Sequence, residues 1–186
     1  TSRYSQRDQA DQTKIKKLRD CCHEVAKLLG VKDLILHDLP DNRFDTVPLL
    51  DVVNIIEGLV EKISPHVIYT HHGGDLNVDH RITCQATLTA TRPLPGRLVK
   101  AVYAYEVPSS TEWAFHNLSP VFKPNVYADI TDTLKLKIKA MQMYESEVRP
   151  YPHPRSPEAL LAIARRWGSV VGLEAVEAFE LVREIR

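Results

Sequence analysis

Apolar positions along the chain fall first at a helical period and then in short blocks. Ile15, Leu18, Cys22, Val25 and Leu29 share one face with Lys and Arg between them, and Gly30 closes the run, which predicts an amphipathic helix over Asp11–Leu29. The block Asp33–Leu39, ended by Pro40-Asp41-Asn42, predicts a buried strand that leaves into a turn. A second helix is expected over Val47–Ile63, where Leu49, Val52, Val53, Ile56, Leu59, Val60 and Ile63 form the apolar side between Pro48 and a Ser64-Pro65 stop. His66–Thr70 then supplies a second strand, Asp79–Thr91 a helix, Lys100–Val107 a third strand and Asn125–Ile130 a fourth. A helix is expected from Thr131 to Glu147, a proline-rich loop over Tyr151–Pro157 and a last helix from Pro157 to Gly168; the tail Ala175–Ile185 suits strand or helix. Strands alternating with helices of this length predict an α/β domain with a mostly parallel sheet, a single unit over residues 1–186. Such a domain normally opens on a buried strand near the sheet centre. This chain opens on a charged loop and helix, so its first βα region is expected to be absent.

Charge narrows the partners. Lys plus Arg number 24 against 24 Asp plus Glu, so the net charge is zero, and without a basic block the footprint of a nucleic-acid reader is missing. No apolar run approaches the ~20 residues of a membrane span, and the first residues do not read as an export signal. Cys21, Cys22 and Cys84 form neither an even disulfide framework nor a chelating C-x-x-C pair, which points to a reducing cytoplasm. A neutral surface leaves homo-oligomers open.

In an open parallel sheet, ligands bind beyond the carboxyl ends of the strands. Directly after His66–Thr70 the chain runs His71-His72-Gly73-Gly74-Asp75-Leu76-Asn77-Val78-Asp79-His80-Arg81. Imidazoles and carboxylates gathered there suit a borderline divalent ion such as zinc, and the paired glycines let the backbone turn so that His71 or His72 faces His80. Asp79 reads equally well as a polar cap on the helix it begins. His71, His72 and Asp75 are a further, self-contained candidate ligand set.

The string Thr70–Arg81 resembles the second signature, T-H-x-x-x-D-x-N-x-D-H-R, of the LmbE/PIG-L family of zinc-dependent de-N-acetylases. Leu39–Asp45, Glu106–Trp113, Tyr144–Glu147, Pro152–Pro157 and Glu177-Ala178-Phe179 agree with bacterial members in the same order, so the resemblance spans nearly the whole chain. It implies a Rossmann-like fold and one zinc ion per site. It also implies hydrolysis of the N-acetyl group of a GlcNAc-like amino sugar or its conjugate. His80 is the implied metal ligand. The family's first signature, P-H-P-D-D-E, provides a His and an Asp ligand and the Asp general base, and it does not occur here, since Pro65-His66 and Pro152-His153 lack the paired aspartates. A non-catalytic sugar-binding remnant of the same fold is therefore the alternative reading.

Amide hydrolysis needs an activated water, a base and a group that stabilises the oxyanion. In many family members the residue three before the zinc His is itself His and fills the last role. Here it is Asn77, whose amide donates a hydrogen bond but does not shuttle protons. The resemblance then leaves that part to His71 or His72, with Asp79 orienting an imidazole from behind. Around this centre, Arg3, Asn42, Arg43, Asp75, Glu106, Ser109, Trp113 and His153 sit at strand ends or in the proline-rich loop and are expected to bind substrate. Ser110 and Thr111 add hydroxyls to the same stretch, a composition suited to a pyranose.

Overall fold

The computed structural model describes residues 12–96, 99–118 and 120–186, so Arg3 lies outside the described residues. Helix α1 (Gln12–Leu29) is followed by an irregular segment, α2 (Leu49–Ile63), strand β1 (Val67–His71), α3 (Val78–Ala90) and β2 (Ala101–Tyr105). Then come β3 (Val126–Asp129), α4 (Leu134–Met143), α5 (Pro157–Val171) and β4 (Val176–Glu184). The four-stranded sheet has the order β1-β2-β4-β3.

The α/β class holds, with a mixed sheet. Parallel pairing joins β1 to β2, with His71 opposite Tyr105, whereas β4 runs antiparallel to both β2 and β3. The tail that suited either state is therefore a strand. It sits between β2 and β3, where Val176 and Ala178 are buried.

Local chemistry sets the helix ends. Pro48 fixes the turn into α2, Ser64 closes it in the left-handed region, and Ser156 caps α5 by accepting from the Ala159 N–H at 3.0 Å, with Pro157 beginning the helix. α5 runs past Gly168 to Val171 and stops at Gly172, whose φ of 77° is left-handed. α4 is shorter than its periodicity predicts. Asp129 accepts from the Thr131 backbone N–H at 2.9 Å and holds the entry as a turn.

Two small cores seat the layers. Val52 and Val53 of α2 pack on Ala86 and Ala90 of α3, supported by Val47, Leu49, Ile56 and Ile82. Ile130, Ala164 and Ala175 form the second core, with Leu134 against it. α3 also lies on β1, where the Thr70 hydroxyl meets that of Thr87 at 3.2 Å. This packing aims the N-terminus of α3 at the carboxyl end of β1.

The expected strand at Asp33–Leu39 does not form. The segment has no regular secondary structure and pairs with no strand among the described residues, and Leu34, Ile35 and Leu36 are exposed. A strand is held by its neighbour's hydrogen bonds. Among the described residues β1 likewise has β2 on one side only and is the edge of the sheet, with Tyr69 56% exposed.

Candidate functional site

β1 ends in a tight reversal that places two adjacent histidines very differently. The His72 N–H donates to the Tyr105 carbonyl at 3.0 Å, and its ring turns into the protein, where Nδ1 meets Glu180 Oε2 and Nε2 meets the Pro120 carbonyl, each at 2.8 Å. Burial pushes the His72 pKa down, but the Glu180 carboxylate and the Pro120 carbonyl outweigh it and raise the value above normal. Both ring nitrogens are thus engaged in tying the loop at Pro120 to β4. Gly74 belongs to the same joint. A Cβ there would lie 1.7 Å from the Pro120 oxygen and 2.9 Å from His72 Nε2, so backbone runs where a side chain would stand.

Asp75 is the hub on the other side. Fully buried, it accepts from the Asn77 N–H at 2.8 Å, the Thr111 hydroxyl at 2.7 Å and the Ser110 hydroxyl, and its Oδ1 lies 3.1 Å from His80 Nδ1. Burial pushes its pKa up, yet the bonds from His80, Ser110, Thr111 and the Asn77 amide bring it down to about 2. An ionised carboxylate beside Nδ1 draws the imidazole proton to that nitrogen and leaves the Nε2 lone pair outward. That is the arrangement a metal-binding histidine needs.

Asn77 and Asp79 hold the frame. The Asn77 Oδ1 caps α3 by accepting from the Asp79 N–H at 2.8 Å, and its Nδ2 donates to Asn42 Oδ1 at 3.1 Å. Asp79 accepts from the backbone N–H groups of Asn42 and Phe44. The imidazole of His80 is therefore oriented from behind by Asp75, while Asp79 ties the turn at 41–44 to the helix start. Asn42 enters the site through Asn77, and Arg43 stands next to it in the same turn.

His71 stacks on His80 with ring centroids 4.2 Å apart and planes within 13°. Its Nδ1 is buried without a partner among the described residues, and desolvation, followed by repulsion from His80, lowers its pKa to about 4. It is a neutral ring that backs the His80 imidazole. His71, Asp75, Asn77, Asp79, His80 and Asn42 therefore come together, and His72 faces away from them into the joint with Glu180.

The expected substrate residues divide into two groups. Glu106 turns to α5, where it accepts from Trp167 Nε1 beside a cavity of about 50 Å³ lined also by Tyr105, Lys137, Glu177 and Phe179. Burial raises its pKa in spite of that bond. Ser109, at a positive φ of 75°, presents its N–H to Glu112 Oε1 at 2.6 Å. Trp113 lies edge-on to His153 with centroids 5.5 Å apart, so the proline-rich loop does reach the segment after β2. Ser110 and Thr111 spend their hydroxyls on Asp75, inside the protein. Glu180 is the partner that sequence reading missed. It stands 108 residues from His72, and no local pattern marks it.

As a donor for zinc, His80 fits, because Asp75 fixes its tautomer. Among the described residues, no group of three or more His, Cys, Asp or Glu side chains could hold a metal ion, so the set His71, His72 and Asp75 does not form one. Its members are turned to a stacked ring, to Glu180 and to hydroxyls.

The described fold is an α/β domain in which the loop after β1 and the start of α3 bring Asp75 against His80. Residues 2–91 match the family model described as PIG-L, GlcNAc-PI de-N-acetylase, the family whose signature Thr70–Arg81 resembles. No curated protein matches the chain. Among solved structures, the conserved protein TT1542 from Thermus thermophilus is similar with a TM-score of 0.72 at 19% identity, over 92% of this chain and 75% of that one. The N,N'-diacetylchitobiose deacetylase from Pyrococcus horikoshii gives 0.70 at 22% identity, over 90% of this chain and 64% of that one. GalB, the 4-carboxy-2-hydroxymuconate hydratase from Pseudomonas putida, gives 0.65 at 17% identity, over 96% of this chain and 76% of that one. At these identities the likeness shows the fold. The presence of a hydratase among such neighbours leaves the reaction to be argued from the site.

Proposed function

We propose that this chain forms the body of a zinc-dependent hydrolase that removes the N-acetyl group from a GlcNAc-like amino sugar or its conjugate. The match over residues 2–91 supports a de-N-acetylase, and a deacetylase of an acetylated disaccharide shares the fold. The observation that carries the reading is the Asp75–His80 contact of 3.1 Å, which makes His80 Nε2 a ready donor at the carboxyl end of β1.

When bound, zinc supplies an acidified water and polarises the acetamide carbonyl. The chain's own residues do the rest. Asp75, locked by Ser110, Thr111 and the Asn77 N–H, keeps the His80 proton on Nδ1. His71, neutral and stacked on His80, excludes water from its flank. Asn77 Nδ2 carries two hydrogens, of which Asn42 takes one, so the amide is the oxyanion donor of this stretch. The remaining ligands and the general base are proposed to come from chain outside these 186 residues. The edge of β1 that is open among the described residues, and the segment at Leu34–Leu36 that pairs with none of their strands, are where an added strand would find hydrogen-bond partners.

Because the described residues do not assemble a full ligand set, a second reading follows for the chain as given: it binds the acetylated sugar without turning it over. Zinc content and acetate release from N-acetylglucosamine and N,N'-diacetylchitobiose separate the two. Stoichiometric zinc with acetate release, both lost in His80→Ala, supports the hydrolase. Sugar binding with neither supports the second reading, and absence of all three removes both.

A further inference from the structure

We propose that the cavity between β2, β4 and α5 is a binding site for a small alkylammonium cation, held by the Glu106 carboxylate and the rings of Tyr105, Trp167 and Phe179. This ligand is not the acetylated sugar, whose acetamide is neutral and offers a buried carboxylate no opposite charge. The site therefore stands independently of the deacetylase reading. Aromatic rings and a carboxylate around one small space suit an ammonium group, which is attracted both by ring faces and by the negative charge.

Charge in the cavity is unbalanced at Glu106. Glu177 lines the same space, but Lys137 pairs with it at the rim, where the two side chains are 41% and 40% exposed. Among the described residues, the hydrogen bond that Glu106 accepts comes from Trp167 Nε1, a neutral donor that leaves the charge uncompensated. Arg166 lies over the Trp167 ring, 4.9 Å from its centroid, and makes no hydrogen bond to Glu106. Burial, with repulsion from Glu112, outweighs the Trp167 bond and the attraction of Lys137 and Arg166, and holds Glu106 above the usual carboxylate range. A bound cation supplies the missing partner.

Size and lining narrow the cation. At about 50 Å³ the cavity has room for a short alkyl group rather than a sugar ring. Leu160 and Ile163 of α5 give that group an apolar wall, which a bare inorganic ion would leave uncovered. Tyr105 is common to this cavity and the candidate site, since its ring centroid also lies 5.0 Å from that of His71. The two sites thus share one wall and differ in the charge they receive.

The test is titration of the nitrogen-15-labelled chain with methylammonium chloride, read at the indole N–H resonance of Trp167, which donates to Glu106 and is told apart from that of Trp113 by Trp113→Phe. Methanol, a neutral molecule of matched size, and potassium chloride at matched ionic strength are the controls. Methylammonium is expected to move the Trp167 signal saturably, at the millimolar affinity open to so small a ligand. Its affinity should be about threefold or more higher at about pH 7 than at about pH 4, where Glu106 is largely protonated. Glu106→Gln keeps an acceptor for Trp167 and should abolish the saturable shift, its folding being checked by the dispersion of the same spectrum. If that variant does not fold, the methanol control and the pH dependence of the wild type decide. Equal shifts with methanol or potassium chloride, a saturable shift that survives in folded Glu106→Gln, an affinity that does not change with pH, or no shift up to about 100 mM methylammonium overturns the site. None of these outcomes touches the deacetylase reading, which is tested by zinc content and acetate release.

Discussion

The carboxylate of Asp75 lies 3.1 Å from Nδ1 of His80, and three further donors, from Ser110, Thr111 and the Asn77 backbone, converge on the same two oxygens. A single buried charge thus ties the loop after β1 to the segment after β2 and sets the tautomer of the candidate metal ligand. The same charge stabilises the fold and prepares the site.

Acid sensitivity follows. The folded pKa of Asp75, about 2, is below the unfolded value near 3.9, so its contribution to stability is complete above about pH 4 and is lost as pH falls toward 2. Asp75→Asn should cost about 1–3 kcal/mol at neutral pH by urea denaturation and remove that part of the acid limb. An unchanged limb in the variant would place the acid-labile group elsewhere.

His72 and Glu180 give the opposite pair of slopes. The raised folded pKa of His72 means its stabilising charge is present below its unfolded value near 6.5 and lost as pH rises through the folded value. Glu180, lowered by the His72 ring despite burial, contributes above about 4.3 and loses that contribution as pH falls through its folded value. Their joint stabilisation should be greatest between about pH 4.5 and 6.5. In His72→Gln the melting temperature should fall most in that window, and a uniform drop at every pH from about 4 to about 9 would refute the ion pair.

Gly74→Ala should destabilise by about 3 kcal/mol, because its Cβ would stand 1.7 Å from the Pro120 carbonyl oxygen and neither backbone can yield without breaking the His72 bracket. Thermal melts monitored by circular dichroism decide the matter. Gly73→Ala is the control, since its Cβ meets nothing nearer than Cys84 Sγ at 3.5 Å.

Glu106 is an acid whose folded pKa is raised, burial being the main cause, so its ionisation works against folding as pH climbs above about 4.3. Glu106→Gln retains an acceptor for Trp167 and removes the charge. Its melting temperature should match wild type at about pH 4 and exceed it at about pH 7; a variant less stable at neutral pH would show that the ionised carboxylate is needed by Lys137 or Arg166 nearby.

The sequence by itself determined the helices and their caps. Their apolar period and end residues are local, so Leu49–Ile63 and the start at Pro157 are legible without a neighbour. It also marked the candidate site, because residue types crowded into Thr70–Arg81 stand out by composition and spacing. Only the tertiary structure decided pairing and direction. Leu34–Leu36 and Val176–Glu184 have comparable strand character, yet the second is central in the sheet and the first pairs with no strand among the described residues, since a strand exists only where another backbone offers hydrogen bonds. The roles within the cluster were decided in the same way. His71 and His72 are adjacent and chemically identical, but His71 ends β1 and His72 begins the turn after it, so one ring backs His80 and the other is locked against Glu180. Asp75, not Asp79, became the partner of His80 because the loop's turn at Gly74 and the hydroxyls of a segment 35 residues further on meet at one buried point.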